Sequence, residues 1–323
     1  MAQSKITFEQ YIGFEKQRLA GLNKKKKVNW GKILSFIFLT LFCVVWIFPF
    51  IILLAGSLRG YTDTLFYPKE LFYPHSGYTL DNFMVLLTNK LPEGMAGQNT
   101  TKPFELGYWI FNTCISAIGG TLLYLLVASF AAYAFTFIDF KFRNLLFAIL
   151  VATMVIPGTA TTVGNQNFIF STGMNKLTYP FQMLALIIPG LGGVYGMYLI
   201  KTFFTSIPKD LIESAKMDGY NNFQIFFKIV LPLGKTVIFV QGLFGFMGGW
   251  NDLIWPQMLF GAGDSKNWTL QVGMAYIIHN YSNGKMIGVA LASGVFCILP
   301  VFIVYLFAQN TIIEGMAGAG IKG

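Results

Sequence analysis

Charge is the scarcest property of this chain. Only 11% of its 323 residues are Asp, Glu, Lys or Arg, whereas a soluble globular domain is about one-quarter charged. Hydrophobic residues make up 54% of the chain and aromatic residues 17%, with 33 Phe. A chain of this composition lacks the polar surface that a water-soluble fold needs, so we expect it to lie in a lipid bilayer.

Cysteine and histidine are scarce as well, at 3 and 2 residues. Cys43, Cys114 and Cys297 fall inside apolar runs, and no CxxC spacing occurs, so the sequence predicts neither a disulfide framework nor a structural zinc site. His75 and His279 have no carboxylate or cysteine at ligand spacing. We therefore interpret them as surface residues and predict no bound metal.

A phosphate-binding loop is missing too. Gly234-Lys235-Thr236 resembles the end of the GxxxxGK[ST] pattern, but Ile229 stands where the first glycine is required. The segment also opens an apolar run instead of following a strand. We therefore reject nucleotide binding by this chain, and the energy for its activity must come from another polypeptide.

Long apolar runs dominate what remains. A membrane-spanning helix needs about 20 apolar residues, and backbone groups in lipid must be hydrogen-bonded within the segment, which favours helices. Pro157-Gly158 is expected to end the third helix near Thr161. The predicted spans are 33–58, 107–137, 144–161, 178–204, 236–260 and 287–309. The predicted fold class is therefore all-α, a polytopic transmembrane helical bundle of about six spans.

The distribution of Lys and Arg predicts the orientation. Most of the 23 basic residues fall in segments that six spans place on one side, and the positive-inside rule makes that side cytoplasmic, with both termini. The predicted domains are a cytoplasmic segment 1–31, a transmembrane domain 32–310 with a cytoplasmic loop at 206–235, and a cytoplasmic tail 311–323. The external loop 59–105 is expected to form a small ordered cap. Residues 7–22 suit an amphipathic surface helix and a disordered basic leader equally well.

A polar island, residues 206–232, separates two apolar segments. Pro208 suits the first turn of a helix, and Gly219 stands where a left-handed residue would end it. We predict a short helix over about Pro208–Asp218, followed by a second helix that Asn221 caps and that ends before Pro232. A membrane protein that keeps such an island between spans usually offers it to a soluble partner.

The side chains of the first short helix suggest how a partner would bind. Ser214 and Ala215 give it a face without bulk, which suits insertion into a groove. Glu213 and Asp218 are then available to pair with basic groups of the partner. The alternative is that the island is a solvated loop between two spans with no binding role.

Three motifs resemble one known family. Glu213-Ser214-Ala215, three residues, Gly219, nine residues and Ile229-Val230-Leu231-Pro232 match the EAA loop of ABC-importer permeases, with Ser214 where the family usually has Ala. Gly249-Trp250-Asn251-Asp252, followed by Trp255-Pro256, resembles the fifth-span signature of carbohydrate permeases. Residues 314–323 resemble the tail of the smaller maltose-permease-type subunit, although Glu314 replaces a residue that is basic in many relatives. The resemblance covers roughly residues 30–323.

The resemblance implies a type I ABC importer permease fold and a set of residue roles. The short helix would be the coupling helix, which docks in a groove of a cytoplasmic ATPase. The residues expected to couple to the ATPase are Pro208, Glu213, Ser214, Ala215, Asp218, Gly219 and Pro232. The tail residues expected to contact the ATPases are Gly315, Gly318 and Lys322. The residues expected on the translocation path are Trp250, Asn251 and Asp252.

The same resemblance implies partners and a location. The chain would be a transport permease and not an enzyme, in a bacterial cytoplasmic membrane and in contact with membrane lipid. It would pair with a second homologous permease subunit, two ATPase subunits and an extracytoplasmic solute-binding protein, with no role for nucleic acid. ATP and Mg would be used by the ATPase subunits, and this chain itself would bind no cofactor.

The cargo and the path residues leave alternatives open. A carbohydrate, and an oligosaccharide in particular, is favoured because aromatic faces stack on sugar rings; the alternative is the same machinery for a peptide or a polyamine. A membrane-embedded enzyme or a self-sufficient ion-coupled carrier is disfavoured, since Asp252 is the only acid within a predicted span. Asn112 and Gln241 suit either a polar path or hydrogen bonds between helices.

Overall fold

The computed structural model describes residues 30–60, 73–75, 77–90, 104–281 and 287–320, with Ile12, Gly13 and Lys16. The side chains of Tyr281 and of residues 310–320 are outside this description. Most of the predictions for residues 7–22, much of the predicted cap in loop 59–105, and Lys322 therefore lie outside the described residues. The chain divides into two units, Met1–Ile51 and Ile52–Gly323.

The first unit is described mainly through residues 30–51, which belong to one long helix. Helix α1 covers Trp30–Ser57, which is 28 residues and long enough to cross a bilayer. Its apolar side chains are largely exposed, for example Leu34 at 70% and Val45 at 69%. Such exposure is expected of a helix whose natural solvent is lipid. Pro49 lies inside α1 without interrupting it.

The described part of the second unit is mainly helical, and its β pairing is limited to an isolated bridge between Arg59 and Tyr78. The helices before the polar island are α2 (Asp81–Thr88), α3 (Leu106–Phe137, with a π turn at Ile115–Gly119), α4 (Arg143–Thr153), α5 (Gly158–Thr172), α6 (Phe181–Gly192, partly 3₁₀) and α7 (Val194–Phe204). The helices from the island onward are α8 (Lys209–Met217), α9 (Asn222–Leu233, with a π turn at Phe226–Val230), α10 (Lys235–Trp250), α11 (Ile254–Phe260), α12 (Leu270–Tyr281) and α13 (Ile287–Gly320).

The lengths of these helices fit a membrane bundle. The straight helices α1, α3 and the Ile287–Gln309 part of α13 are each long and apolar enough to cross a membrane. Three bent pairs, α4 with α5, α6 with α7 and α9 with α10, pass the same test when each pair is taken together. The described residues thus hold up to six spans, and the prediction of an all-α polytopic bundle is confirmed.

The bends correct the predicted helix ends. The third span does not end near Thr161: α4 stops at Thr153, and α5 begins at Gly158 at an angle of 101°. Pro157 lacks an N–H and cannot continue α4, yet it suits the residue before a new helix. The fifth predicted span is interrupted as well, because α10 ends at Trp250 and α11 starts at Ile254.

One hydrophobic cluster, which we call the Trp109 cluster, packs the first turns of α3 against the chain between α11 and α12. Trp109 is 1% exposed and stacks on Trp268 at a centroid distance of 6.0 Å. Its indole Nε1 donates to the carbonyl oxygen of Ser265 at 2.8 Å, and that of Trp268 donates to Phe260 at 2.9 Å. The cluster also takes in Leu186 from α6. These bonds satisfy polar atoms inside an apolar core.

A second cluster, which we call the Phe226 cluster, lies toward the other end of α3. The Phe226 ring stacks on Phe130 at 4.5 Å and meets Tyr133 edge-on at 5.4 Å. The last turn of α7 contributes Ile200 and Phe204, both fully buried. Helix α3 therefore passes through both clusters and links them.

Candidate functional site

The polar island folds close to the sequence prediction. Helix α8 begins at Lys209, with Pro208 as its N-cap residue, and ends at Met217. Gly219 has a φ of +84°, the left-handed conformation expected of the residue that ends a helix. The N–H of Tyr220 donates to the carbonyl oxygen of Ala215 at 3.0 Å, which closes the last turn.

Helix α8 has one face buried in the protein and one exposed. Ile212 and Ala215 are 3% and 5% exposed and belong to the Phe226 cluster. Glu213, Ser214 and Asp218 are exposed. The structure therefore corrects the expectation that Ser214 and Ala215 share a partner-facing surface, because positions one residue apart point about 100° apart on a helix. Ala215 anchors α8, and Ser214 is available to a partner.

The second short helix begins as predicted and ends later. The Gln224 N–H donates to Asn221 Oδ1 at 2.9 Å, and the Asn221 N–H donates to Gln224 Oε1 at 2.9 Å, which completes a capping box. The helix does not stop before Pro232 but continues to Leu233. A π turn over Phe226–Val230 precedes the proline, and such a turn widens the helix locally and accommodates the ring.

Large apolar side chains are exposed on α8 and on the helix that follows it, α9. The exposed fractions are 43% for Leu211, 81% for Met217, 69% for Phe223 and 50% for Phe227. We call these four residues with Glu213 the coupling surface. Apolar patches rimmed by polar residues mark surfaces that another protein covers. Within the described residues neither Glu213 nor Asp218 forms an ion pair, so both carboxylates are available to a partner.

A groove opens between α3, α7 and α10, with a cavity of about 410 Å³. Its walls are formed largely by glycines and hydroxyl-bearing or amide side chains. The lining includes Ser116, Gly120, Thr121, Tyr124, Gly190, Gly193, Gly196, Gln241, Gly245, Gly248, Gly249 and Asp252. This level of the fold lies between the Trp109 cluster and the Phe226 cluster, since α3, α10 and the α6–α7 segment each contribute to both.

A second cavity of about 330 Å³ continues the groove toward α5 and shares Leu186, Gly190 and Asp252 with the first. Helix α5 lines it with Thr159, Thr162 and Asn165. Sequence reasoning missed these three residues because it treated the polar stretch after Pro157 as the end of a helix. Their three-residue spacing was the available signal, since residues three apart share a helix face.

The predicted path residues do not act together. Trp250 is 2% exposed, and its Nε1 donates to the carbonyl oxygen of Cys297 at 3.0 Å, so the structure corrects the expectation that Trp250 faces a path. Asn251 Nδ2 donates to the carbonyl oxygen of Met247 at 2.8 Å and lies outside the cavity lining. Asp252 does line both cavities, and its Oδ1 accepts from the Trp255 N–H at 3.4 Å.

Asn112 and Gln241, the two amide residues whose roles the sequence left open, have different surroundings in the structure. Asn112 is fully buried; its Nδ2 donates to the carbonyl oxygens of Lys266 and Trp268, and its Oδ1 accepts from the Tyr179 hydroxyl. That role is structural. Gln241 is 4% exposed and lines the groove beside Tyr124.

The predicted tail residues Gly315 and Gly318 belong to α13, which continues as one helix to Gly320. Their predicted contact with an ATPase stays a prediction. Within the described residues, no group of three His, Cys, Asp or Glu side chains is placed to hold a metal ion.

Comparisons with known proteins agree on one family. Residues 18–313 match the family described as binding-protein-dependent transport system inner membrane component. The chain is 28% identical over 296 residues to the arabinooligosaccharides transport system permease protein AraQ of Halalkalibacterium halodurans, covering 92% of this chain and 97% of the relative. It is 26% identical over 299 residues to the maltodextrin transport system permease protein MalD of Streptococcus pneumoniae, covering 93% and 98%.

A solved structure shares the fold. A chain from the crystal structure of a bacterial ABC transporter involved in the import of the acidic polysaccharide alginate matches with a TM-score of 0.69. The match covers 88% of this chain and 98% of that chain at 21% identity.

Proposed function

This chain belongs to the family of binding-protein-dependent transport system inner membrane components, and we propose that it is the membrane subunit of an ABC importer that translocates a carbohydrate, in particular an oligosaccharide. The chain is a multi-pass membrane permease. Both termini are proposed to be cytoplasmic. Its proposed partners are a second homologous permease subunit, two ATPase subunits that use ATP and Mg, and an extracytoplasmic solute-binding protein.

The proposed mechanism is ATP-driven alternating access through a rigid coupling helix. Ile212 and Ala215 fix α8 to the Phe226 cluster, which also contains the ends of α3 and α7. A displacement applied to the coupling surface is therefore transmitted to those helices without loss in a flexible loop. No covalent chemistry is required of this chain, because its part is to change which side of the groove is open.

The cargo is proposed from the relatives and from the groove together. AraQ and MalD are named for oligosaccharide transport, and a groove lined by Thr, Ser, Gln and Tyr offers the hydroxyl and amide groups that bind sugar hydroxyls. Among the described residues, those that line the two cavities include Asp252 and no Lys, Arg or His. A carboxylate on the path repels anions, so we propose a neutral carbohydrate.

The acidic residue also supports the alternative cargo. A polyamine is cationic and would be attracted to Asp252, so a polyamine or a basic peptide remains the second candidate. Competition for uptake into proteoliposomes distinguishes a carbohydrate cargo from a cationic one. Unlabelled maltodextrin or arabinooligosaccharide should compete with the transported cargo, and spermidine should not. The reverse result would assign the alternative cargo.

The observation that carries the proposal is the exposed coupling surface on a helix anchored to the bundle core. Glu213→Lys reverses a charge on that surface without altering Ile212 or Ala215. We expect it to reduce uptake by the reconstituted complex at least tenfold. The ATP hydrolysis that remains should no longer be coupled to uptake.

The control is Asp81→Lys, which reverses an exposed charge in the first turn of α2, outside the island. It should leave uptake within about twofold of the wild type. If Glu213→Lys transports at the wild-type rate while ATPase subunits remain bound, the role assigned to α8 is wrong.

A further inference from the structure

A pocket of about 200 Å³ lies where several helices end. It is lined by residues from the last turn of α3, the first turn of α4, the last turn of α7 and the first turn of α8, together with Thr205 and Ile207 between α7 and α8. Because α3, α4 and α7 belong to predicted spans, the shared level of their ends is the level at which a bilayer changes from acyl chains to headgroups.

The pocket is strongly basic. Arg143, Lys201 and Lys209 line it, and Lys141 lies on the adjoining turn. Among the described residues, Asp139 is the carboxylate that forms an ion pair with this group. Its Oδ1 accepts from Arg143 Nη1 at 2.7 Å, and its side chain is 96% exposed. Lys201 and Lys209 form no ion pair within the described part of the chain. The positive charge in the pocket therefore exceeds the negative charge.

The cationic side chains are held in position. The Lys201 ammonium lies over the Phe147 ring, 4.3 Å from its centroid, a cation–π contact that holds Nζ at the pocket wall. Arg143 Nη1 donates to the carbonyl oxygen of Ile138 at 3.2 Å as well as to Asp139. Both bonds use Nη1, so Nε and Nη2 make no hydrogen bond to the described residues. A phosphate oxygen would find donors there.

The surface beside the pocket is apolar and uncovered. Helix α4, which starts at Arg143, exposes Leu145 at 57%, Leu146 at 45% and Ile149 at 53%. No residue of α4 is buried. A ligand that fits this combination has an anionic head at the helix ends and hydrocarbon that lies along α4.

We propose that this pocket binds the phosphodiester headgroup of an anionic phospholipid. Basic pockets between helices on the cytoplasmic side are suited to such headgroups, and the distribution of Lys and Arg places this end of the bundle on that side. Lys209 is the first residue of α8. Lipid bound here ties the start of α8 to the bilayer and limits how far α8 moves.

The test is native mass spectrometry of the full-length chain in its detergent-purified complex, titrated with phosphatidylglycerol or phosphatidylcholine. The wild type should retain phosphatidylglycerol in preference to phosphatidylcholine. The double variant Lys201→Gln/Lys209→Gln should reduce the affinity for phosphatidylglycerol by about 30-fold, which is the expected effect of removing two cations that face an anionic lipid. Its affinity for phosphatidylcholine should not change.

Three results would overturn the proposal. One is equal retention of the two lipids by the wild type, a measurement that needs no variant. Another is an equal loss in the matched control Lys228→Gln/Lys235→Gln, which removes two lysines of the same region that lie outside the pocket. The third is displacement of phosphatidylglycerol by millimolar inorganic phosphate, which would assign the pocket to a free anion.

Discussion

Gly249 lies at a close approach of α3 and α10. A Cβ atom at position 249 would lie 2.9 Å from the Cα of Ala117, a contact with backbone that cannot move cheaply. At the neighbouring Gly248, no described atom lies within 4 Å of the corresponding position. The two positions form a matched pair, since both are in the same turn and both line the groove.

We expect Gly249→Ala to be less stable than Gly248→Ala by about 1–3 kcal/mol, the usual penalty for overpacking. The gain in helix propensity from Gly to Ala is similar at both sites and cancels in the comparison. Thermal unfolding of the two detergent-solubilised variants measures the difference. Equal melting temperatures would show that α3 and α10 are not in contact at Ala117.

Asp252 supplies a second prediction at the scale of one residue. Asp252→Asn keeps the oxygen that accepts from the Trp255 N–H and removes the negative charge. We expect uptake of a neutral oligosaccharide to stay within about threefold. Competition by a uronate oligosaccharide should increase at least fivefold, because repulsion of two charges about 4 Å apart is worth ~1 kcal/mol or more.

The measurement is uptake of labelled neutral sugar by proteoliposomes, with Asp81→Asn as the control for an exposed acid elsewhere. A loss of neutral-sugar uptake greater than tenfold in Asp252→Asn would contradict the proposal that Asp252 acts by repelling anionic cargo. It would show that the carboxylate binds the cargo directly.

The residues of the groove could be predicted only in part. Asp252 and Gln241 stand out as polar residues in apolar runs, and both line the cavity. Trp250 belongs to the same motif as Asp252 but points into the core. Its burial was not predictable, because periodicity does not show which neighbour packs against each side of a helix. The glycines at positions 190, 193 and 196 form a wall only after α7 has folded against α3.

At the scale of elements, the turn between α8 and α9 depends on Gly219. A residue with a Cβ atom in the left-handed conformation costs roughly 1–2 kcal/mol. We expect Gly219→Ala to weaken protection of the α8 amides in hydrogen exchange and to lower uptake. Asn tolerates this conformation better, so Gly219→Asn should lie between Ala and the wild type. Equal protection in all three would mean that the turn does not hold α8.

Prolines show why helix ends were harder to predict than helices. Pro157 coincides with a break, but Pro49 and Pro300 lie inside the continuous helices α1 and α13. In a bilayer no water competes for the freed carbonyl group, and neighbouring groups satisfy it. The start of α8 after Pro208 and its end before Gly219 were predictable because these residues determine the local backbone directly. The 101° bend after α4 depends on packing.

At the scale of the whole molecule, the orientation in the membrane is open to direct measurement. In a background with Cys43, Cys114 and Cys297 replaced by Ser, Lys216→Cys should react with an impermeant maleimide only from the cytoplasmic side. Lys266→Cys should react only from the outside. Labelling of both residues from one side would contradict the predicted arrangement of spans and the cytoplasmic position of α8.

Composition was enough to predict a helical bundle, and the EAA-like spacing marked the short helix α8, whose role in coupling stays a prediction. The groove was not predictable at this scale, since it forms where α3, α7 and α10 come together from distant parts of the sequence. Loop 59–105 illustrates the same limit: α2 is anchored by Asn82, whose Nδ2 donates to the carbonyl oxygens of Ser57 and Arg59. No local pattern in the sequence signals that contact.

The passage of α3 through both clusters has a mechanical consequence. On α3 the buried residues of the Trp109 cluster end at Ala117 and those of the Phe226 cluster begin at Ala128, and the stretch between them contains Gly119 and Gly120. Bending is cheapest where few side chains must slide past one another. We therefore expect a pull on α8 to bend α3 near Gly119 and Gly120, beside the groove, and to leave the packing within each cluster intact.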